Sequence, residues 1–266
     1  MRIAVASERK KFSEPVILET PQDFDAGLTL IKNTGRELSG GAAFDAVMGG
    51  IPGPMDKKKT GCVNAPNLPG WNKKPFKAKL QEIFKAPVYL ENDTALVGLG
   101  ETIFGAGMRA SIVAYVTVST GVNGVRIVDG RIDRNAHGFE IGQQIIDAGG
   151  ALCKKCGGNG RLEDYISGAV TERRFKKKPY EILNAGIWEQ LAEWLAYGLN
   201  NIIVHWSPDM VVVGGSMMKE IGIPLERVNF HLKKILKIYP ALPSLQHAKL
   251  GDLGGLYGAL AYLRKI

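Results

Sequence analysis

Cysteine is scarce in this chain, which has only Cys62, Cys153 and Cys156. Three thiols cannot staple a disulfide framework, and their scarcity agrees with a reducing compartment. Long apolar runs are missing too. No stretch could span a bilayer, and the N-terminal MRIAVASERKKF has no secretory apolar region followed by a small-residue cleavage site. A cytoplasmic protein without a membrane partner is expected. There is no low-complexity segment and no solenoid repeat. The formal charge of +8 is concentrated in Lys57–Lys59, Lys73–Lys74 and Arg173–Lys178, with no helix-turn-helix or zinc-finger spacing nearby. Solvated surface is therefore expected rather than a nucleic-acid footprint.

The 266 residues, 45% of them hydrophobic, can bury a large core and are numerous enough for two domains. MRIAVAS and PVILET read as strands around the charged turn ERKK. A helix follows from about Pro21, with Asp23 at its start and Phe24, Leu28, Ile31 and Leu38 near one face. FDAVMGGIPGPMD is a strand ending in a Gly and Pro cluster, and 76–84 is a short amphipathic helix. SIVAYVTV and NGVRIV are strands, with Asp129-Gly130 as a hairpin turn signal. A long helix from Ile187 to about His205 leads into the buried strand MVVVGGS. The closing GGLYGALAYLRKI is a small-residue helix suited to close packing. Alternating strands and helices predict an α/β fold in two parts, with a cleft between domains where phosphates usually sit.

Three stretches can carry chemistry. In VYLENDTALVGLGE the strand run stops at Asp93 and passes at once into helical composition. Asp93 is either a plain helix cap or a carboxylate at a strand's C-terminal end, placed to accept a hydroxyl proton. In STGVNG, Gly121 and Gly124 allow a sharp turn, and Ser119 and Thr120 add hydroxyl donors. It is either a tight hairpin or a phosphate cradle. VVVGGSMMKEIG repeats that logic, with Gly214 and Gly215 letting something flat approach the backbone.

IPGPMD, APNLPGW, LENDTALVGLGE, STGVNGVRIVDGRI, GFEIGQQ, CGGNGRLEDYISG and VVVGGS occur in this order. The series resembles the ROK family of sugar kinases, N-acetylhexosamine kinases and repressors, from about residue 1 to the C-terminus. The resemblance implies a two-domain actin-like ATPase (ribonuclease H-like) fold with an interdomain cleft. Residues 1–93 would form the small domain, 94–253 the large one, and the helix 254–266 would return to the small domain. Asp93 matches the family's catalytic base. Asn67, Asn92, Glu140 and Glu163 would hydrogen-bond sugar hydroxyls. Thr120 and Gly121, with Ser119, match a phosphate loop, and Gly214, Gly215 and Ser216 match the adenosine-side loop. The implied reaction is transfer of the ATP γ-phosphoryl group, with Mg2+, to a hexose or N-acetylhexosamine, in a homodimer.

Three departures qualify the resemblance. Counting back from Thr20-Pro21, MRIAVAS falls on the family's second strand, so the first strand and its D-x-G-G-T phosphate loop are missing. Either the reading frame starts upstream or the chain is a shortened homologue. The lost strand would be central in its sheet, which should leave backbone groups unpaired. Second, the family's zinc ligands are replaced by Gln143 and Arg161, and Cys153 and Cys156 have slipped to C-x-x-C spacing, so no zinc is expected. Third, Gln143 stands where the family's His packs on the sugar, which keeps the position polar but alters it. A non-catalytic sugar-binding or regulatory protein is the alternative.

Overall fold

The structure, a computed structural model, describes residues 1–8, 11–154, 156 and 158–266. Arg9 and Lys10 of the expected ERKK turn, Lys155 of the C-x-x-C segment and Gly157 of CGGNGRLEDYISG lie outside the described residues. The chain divides into two compact units. One comprises 1–103, 134–138 and 252–266, and the other 104–133 and 139–251.

The first unit opens with four two-residue strands, β1 (Arg2–Ile3), β2 (Ala6–Ser7), β3 (Lys11–Phe12) and β4 (Val16–Ile17). β1 pairs antiparallel with β4, and β2 with β3. Helix α1 (Phe24–Leu38) starts where the Asp23 carboxylate accepts the Ala26 N–H at 2.8 Å. Strand β5 (Val47–Ile51), helix α2 (Phe76–Phe84) and strand β6 (Val88–Asn92) follow, and α3 (Asp93–Phe104) begins without a connecting loop. β5 and β6 run parallel, with Ile51 opposite Asn92. The strands MRIAVAS and PVILET are thus much shorter than their composition suggests. Every ladder among the described residues of this unit has two strands.

Phe24, Leu28, Met55, Cys62, Leu68, Trp71, Phe76, Leu80, Val88 and Leu90 belong to the core of this unit. Phe24, Trp71 and Phe76 meet edge to face, with ring centroids 5.0 to 6.1 Å apart. Gly27 is required inside α1 because a Cβ there would run into the Trp71 ring.

The second unit is built on a five-stranded sheet. Strands β7 (Ile112–Val118), β8 (Val122–Val128) and β9 (Arg131–Ile132) form an antiparallel meander, and Asp129 and Gly130 turn with φ of 50° and 66°. Two short helices, α4 (Leu162–Ile166) and α5 (Gly168–Phe175), precede the long α6 (Ala185–Trp206). Then come β10 (Met210–Gly214), α7 (Leu225–Ile235) and β11 (Ser244–His247), with the strand order β11-β10-β7-β8-β9. β10 runs parallel to both β7 and β11. Ala114, Val116, Val118, Val211 and Val213 pack with Leu191, Trp194, Leu195, Leu199 and Ile203 of α6 in one continuous core.

Helix α8 (Gly254–Leu263) belongs to the first unit and meets α3 through glycine. A Cβ at Gly258 would overlap the Leu96 carbonyl oxygen, and one at Gly100 would lie 2.8 Å from the Gly258 nitrogen. The small-residue stripe of the closing helix is therefore a backbone-to-backbone contact. It supports the helix whose first residue is Asp93.

Candidate functional site

In the first unit, β6 delivers its last residue, Asn92, into a fully used position. The Asn92 side chain donates to the Gly53 carbonyl at 3.1 Å and accepts the Ala95 N–H at 3.2 Å. Asn92, rather than Asp93, thus serves the first turn of α3 in the manner of an N-cap. That leaves the Asp93 carboxylate less committed. It accepts the Thr94 N–H at 2.7 Å and the Thr94 hydroxyl at 3.4 Å, and its side chain stays solvent-accessible. Desolvation nonetheless raises its pKa above the ordinary carboxylate range, against the opposing pull of the Thr94 amide and hydroxyl. A carboxylate in that condition, at a strand's C-terminal end, is suited to take a proton. Asn67 is exposed in the loop after Ala65, where its carbonyl accepts a 3.3 Å bond from Gln22 Nε2.

Sequence reasoning missed a buried ion pair beside these residues. Glu91, with only 3% of its side chain exposed, receives Lys59 Nζ, and its other oxygen accepts the Asn92 N–H at 3.1 Å. Lys59 therefore departs from the solvated surface expected of the Lys57–Lys59 cluster. The strand pattern of VYLEN, which buries Glu91, was the available signal, since a buried carboxylate requires a partner. Lys59→Met is expected to destabilise the fold by about 2 kcal/mol, below the full cost of orphaning a buried charge because Lys59 is one-third exposed. Urea unfolding checks this, and adding Glu91→Gln should restore part of the loss.

In the second unit, Ser119–Gly121 is the three-residue loop of the β7–β8 hairpin, closed by Val118 opposite Val122. Ser119 N–H donates to the Gly121 carbonyl at 2.8 Å, and the Ser119 and Thr120 carbonyls accept from Gly168 and Ala169 at the start of α5. Ser119 Oγ and Ser216 Oγ share a hydrogen bond of 3.1 Å, so the two glycine-rich stretches singled out in the sequence meet. Gly214 and Gly215 have a packing reason of their own. A Cβ at Gly214 would lie 2.8 Å from Ala248 Cβ, and Gly215, at φ 101°, lies against the Val118 carbonyl.

Glu163, in the first turn of α4, reaches the same hairpin. Its Oε2 accepts the Val122 N–H at 2.8 Å, and a Cβ on Gly121 would lie 2.8 Å from that oxygen. Gln143 donates to Glu163 Oε1 at 3.4 Å and accepts from Arg161 Nη1 at 2.8 Å. Gln143 and Arg161, the two positions that depart from the zinc pattern, are therefore bonded to each other. Glu140 is exposed just before the turn that carries Gln143. Cys153 and Cys156 form a disulfide, where the sequence reading took them as thiols. No group of three or more His, Cys, Asp or Glu suited to a metal occurs among the described residues.

A profile described as the ROK family matches residues 3–266. The chain belongs to the ROK family. Among ROK relatives, a glucokinase from Pyrobaculum calidifontis is 34% identical over 206 residues, covering 68% of this chain and 66% of its own length. A xylose repressor from Bacillus spizizenii is 27% identical, covering 77% of this chain and 56% of the repressor. The chain thus spans less than two thirds of either relative. Among solved structures, a ROK hexokinase from Thermus thermophilus superposes with a TM-score of 0.82 at 28% identity, covering 97% of this chain and 93% of the other. A ROK glucokinase from Streptomyces griseus, solved with glucose and AMPPNP, gives 0.80 at 25% identity, covering 100% and 96%. The fold is accordingly the two-domain actin-like, ribonuclease H-like ATPase fold of ROK sugar kinases.

Proposed function

We propose that this ROK protein is an ATP-dependent hexose kinase, with glucose or an N-acetylated hexosamine as acceptor and Asp93 as the base. The observation that carries this reading is the Asp93 carboxylate, hydrogen-bonded to Thr94 and raised in pKa by desolvation at the β6–α3 junction. In this reading the carboxylate accepts the proton of the attacking sugar hydroxyl while the oxygen takes the γ-phosphoryl group in line. Asn67, Asn92, Glu140, Gln143 and Glu163 hold the remaining hydroxyls. Ser119, Thr120, Gly121, Gly214, Gly215 and Ser216 serve the nucleotide side.

The fit is better for sugar than for nucleotide. Amides and carboxylates are the groups that discriminate among hydroxyls, and the Glu163–Gln143–Arg161 network holds two of them in place. On the phosphate side the Ser119–Ser216 hydroxyl pair is polar and small, with glycine on both loops. Magnesium would arrive on the nucleotide phosphates, as is usual for this ion.

ATP-dependent phosphorylation should be measured with the full chain across a panel of hexoses and N-acetylhexosamines. Turnover on at least one sugar is expected. Absence of turnover on all of them, with sugar binding retained in calorimetry, would favour the non-catalytic reading that the repressor relatives make specific.

A further inference from the structure

We propose that the Cys153–Cys156 disulfide is a thiol–disulfide exchange site, served by a cationic pocket that admits small anionic thiols. Both cysteines line a pocket of about 530 Å³ whose other walls are Lys154, Arg173, Arg174 and Phe175. Among the six described residues that line it, three are cations and none is an acid. Glu172, the nearest carboxylate in sequence, is engaged with Lys178 at 2.6 Å. The volume falls in the usual range for a small-molecule site.

Arg174 supplies a separate indication of a ligand. Its Nη2 donates to Gln190 Oε1 at 2.9 Å, and its guanidinium is held over the rings of Phe175 and Trp194, at 4.7 and 5.2 Å from their centroids. Its Nη1 is buried and has no hydrogen-bond partner among the described residues. A buried guanidinium donor without an acceptor is costly, and this one belongs to a residue of the pocket lining.

The chemistry balances with a thiol as the only co-reactant. The thiolate of one ligand molecule attacks a cysteine sulfur, the Cys153–Cys156 bond breaks, and the displaced cysteine leaves as a thiolate beside Lys154 and Arg173. A second thiolate then attacks the mixed disulfide and releases the oxidised ligand dimer. Two ligand thiols are oxidised, the protein disulfide gains two electrons, and two protons end on its cysteines. C-x-x-C spacing and cationic neighbours both favour the thiolate leaving group. The segment stays tethered when the bond opens. Ile146 and Asp147 N–H groups donate to the Gly160 carbonyl, and the Asp147 carboxylate accepts from Ala151 N–H, Leu152 N–H and the Tyr165 hydroxyl. The exchange would therefore loosen the turn ahead of Arg161 without unfolding the unit.

The full chain, purified without reductant, should be treated with reduced glutathione or with uncharged 2-mercaptoethanol at equal thiolate concentration. Alkylation and peptide mass mapping would follow the release of Cys153 and Cys156. Reduced glutathione is expected to open the bond about fivefold faster at low ionic strength, and the ratio should fall towards one in about 0.5 M salt. The double variant Lys154→Gln, Arg173→Gln, altered only at exposed residues, should lose the preference while circular dichroism stays unchanged. Equal rates for the two thiols in the wild type, an unchanged ratio in the double variant, or free Cys153 and Cys156 in the unreduced chain would each overturn the proposal. None of these readouts depends on sugar phosphorylation.

Discussion

Replacing Asp93 by asparagine is expected to lower kcat for sugar phosphorylation by about a hundred- to ten-thousand-fold, the usual contribution of a positioned general base. KM for the sugar should change far less, because the amide still offers an acceptor to the hydroxyl. The fold should survive, since the carboxylate bonds to the neighbouring Thr94 while the Ala95 N–H of the first turn is held by Asn92. The pH dependence gives a second readout. The Asp93 pKa is raised in the folded state, so folding disfavours its ionised form. At pH below its unfolded value both states are protonated, and Asp93 costs the fold nothing. As pH rises through the folded value, the native state must ionise a desolvated carboxyl and stability is lost. Asp93→Asn should therefore match the wild type in melting temperature under strongly acidic conditions and equal or exceed it near neutrality. A variant that is inactive and also less stable near neutrality would point to a structural role.

Gly258→Val is expected to cost about 3 kcal/mol or more, or to prevent folding of the first unit, because the side chain must enter space held by the Leu96 carbonyl. The neighbour in the way is backbone of α3 and cannot rotate aside. Any relief must come from separating α8 from α3, which would shift the residue at the head of α3, Asp93. Gly258→Ala, whose Cβ alone overlaps that carbonyl, should already show most of this loss in chemical denaturation. Gly255→Ala is the control, since a Cβ there meets only Val97 at 3.8 Å. Comparable effects at both positions would refute the account.

How much was legible in the sequence depended on whether a residue's surroundings lay nearby in the chain. Helix α2 and the β7–β8 hairpin follow from local periodicity and turn residues, and the structure has them close to where the pattern puts them. Asp23 at the start of α1 is a local signal of the same kind. Strand β11, SLQH, carries little apolar pattern and is mostly exposed, and it is a strand because β10 offers it a parallel partner. The opening strands failed in the opposite direction. Their composition is right, but two-residue pairing is all that their partners supply. At the candidate site, the chemistry of Asp93 was legible because the strand-to-helix switch is local. The use of Asn92 as the group that serves the helix start was not, because it depends on Gly53, far off in sequence. Lys59 looked like surface for the same reason, since its partner Glu91 lies 32 residues away. The bond between Arg161 and Gln143 was also invisible, although each position had been noted as a departure from the zinc pattern.

The return of α8 to the first unit carries a consequence for biosynthesis. Residues 1–103 leave the ribosome first, yet their unit is completed only by 252–266, after the whole second unit has been made. Until then the Leu96 and Gly100 surface of α3 lacks the helix that covers it. The second unit, ending at Gly251, has all of its own segments before α8 is made, and the first does not. The later domain in the chain should therefore be the earlier one to fold. The nascent protein spends that interval with the α3 face open to chaperones and to other chains.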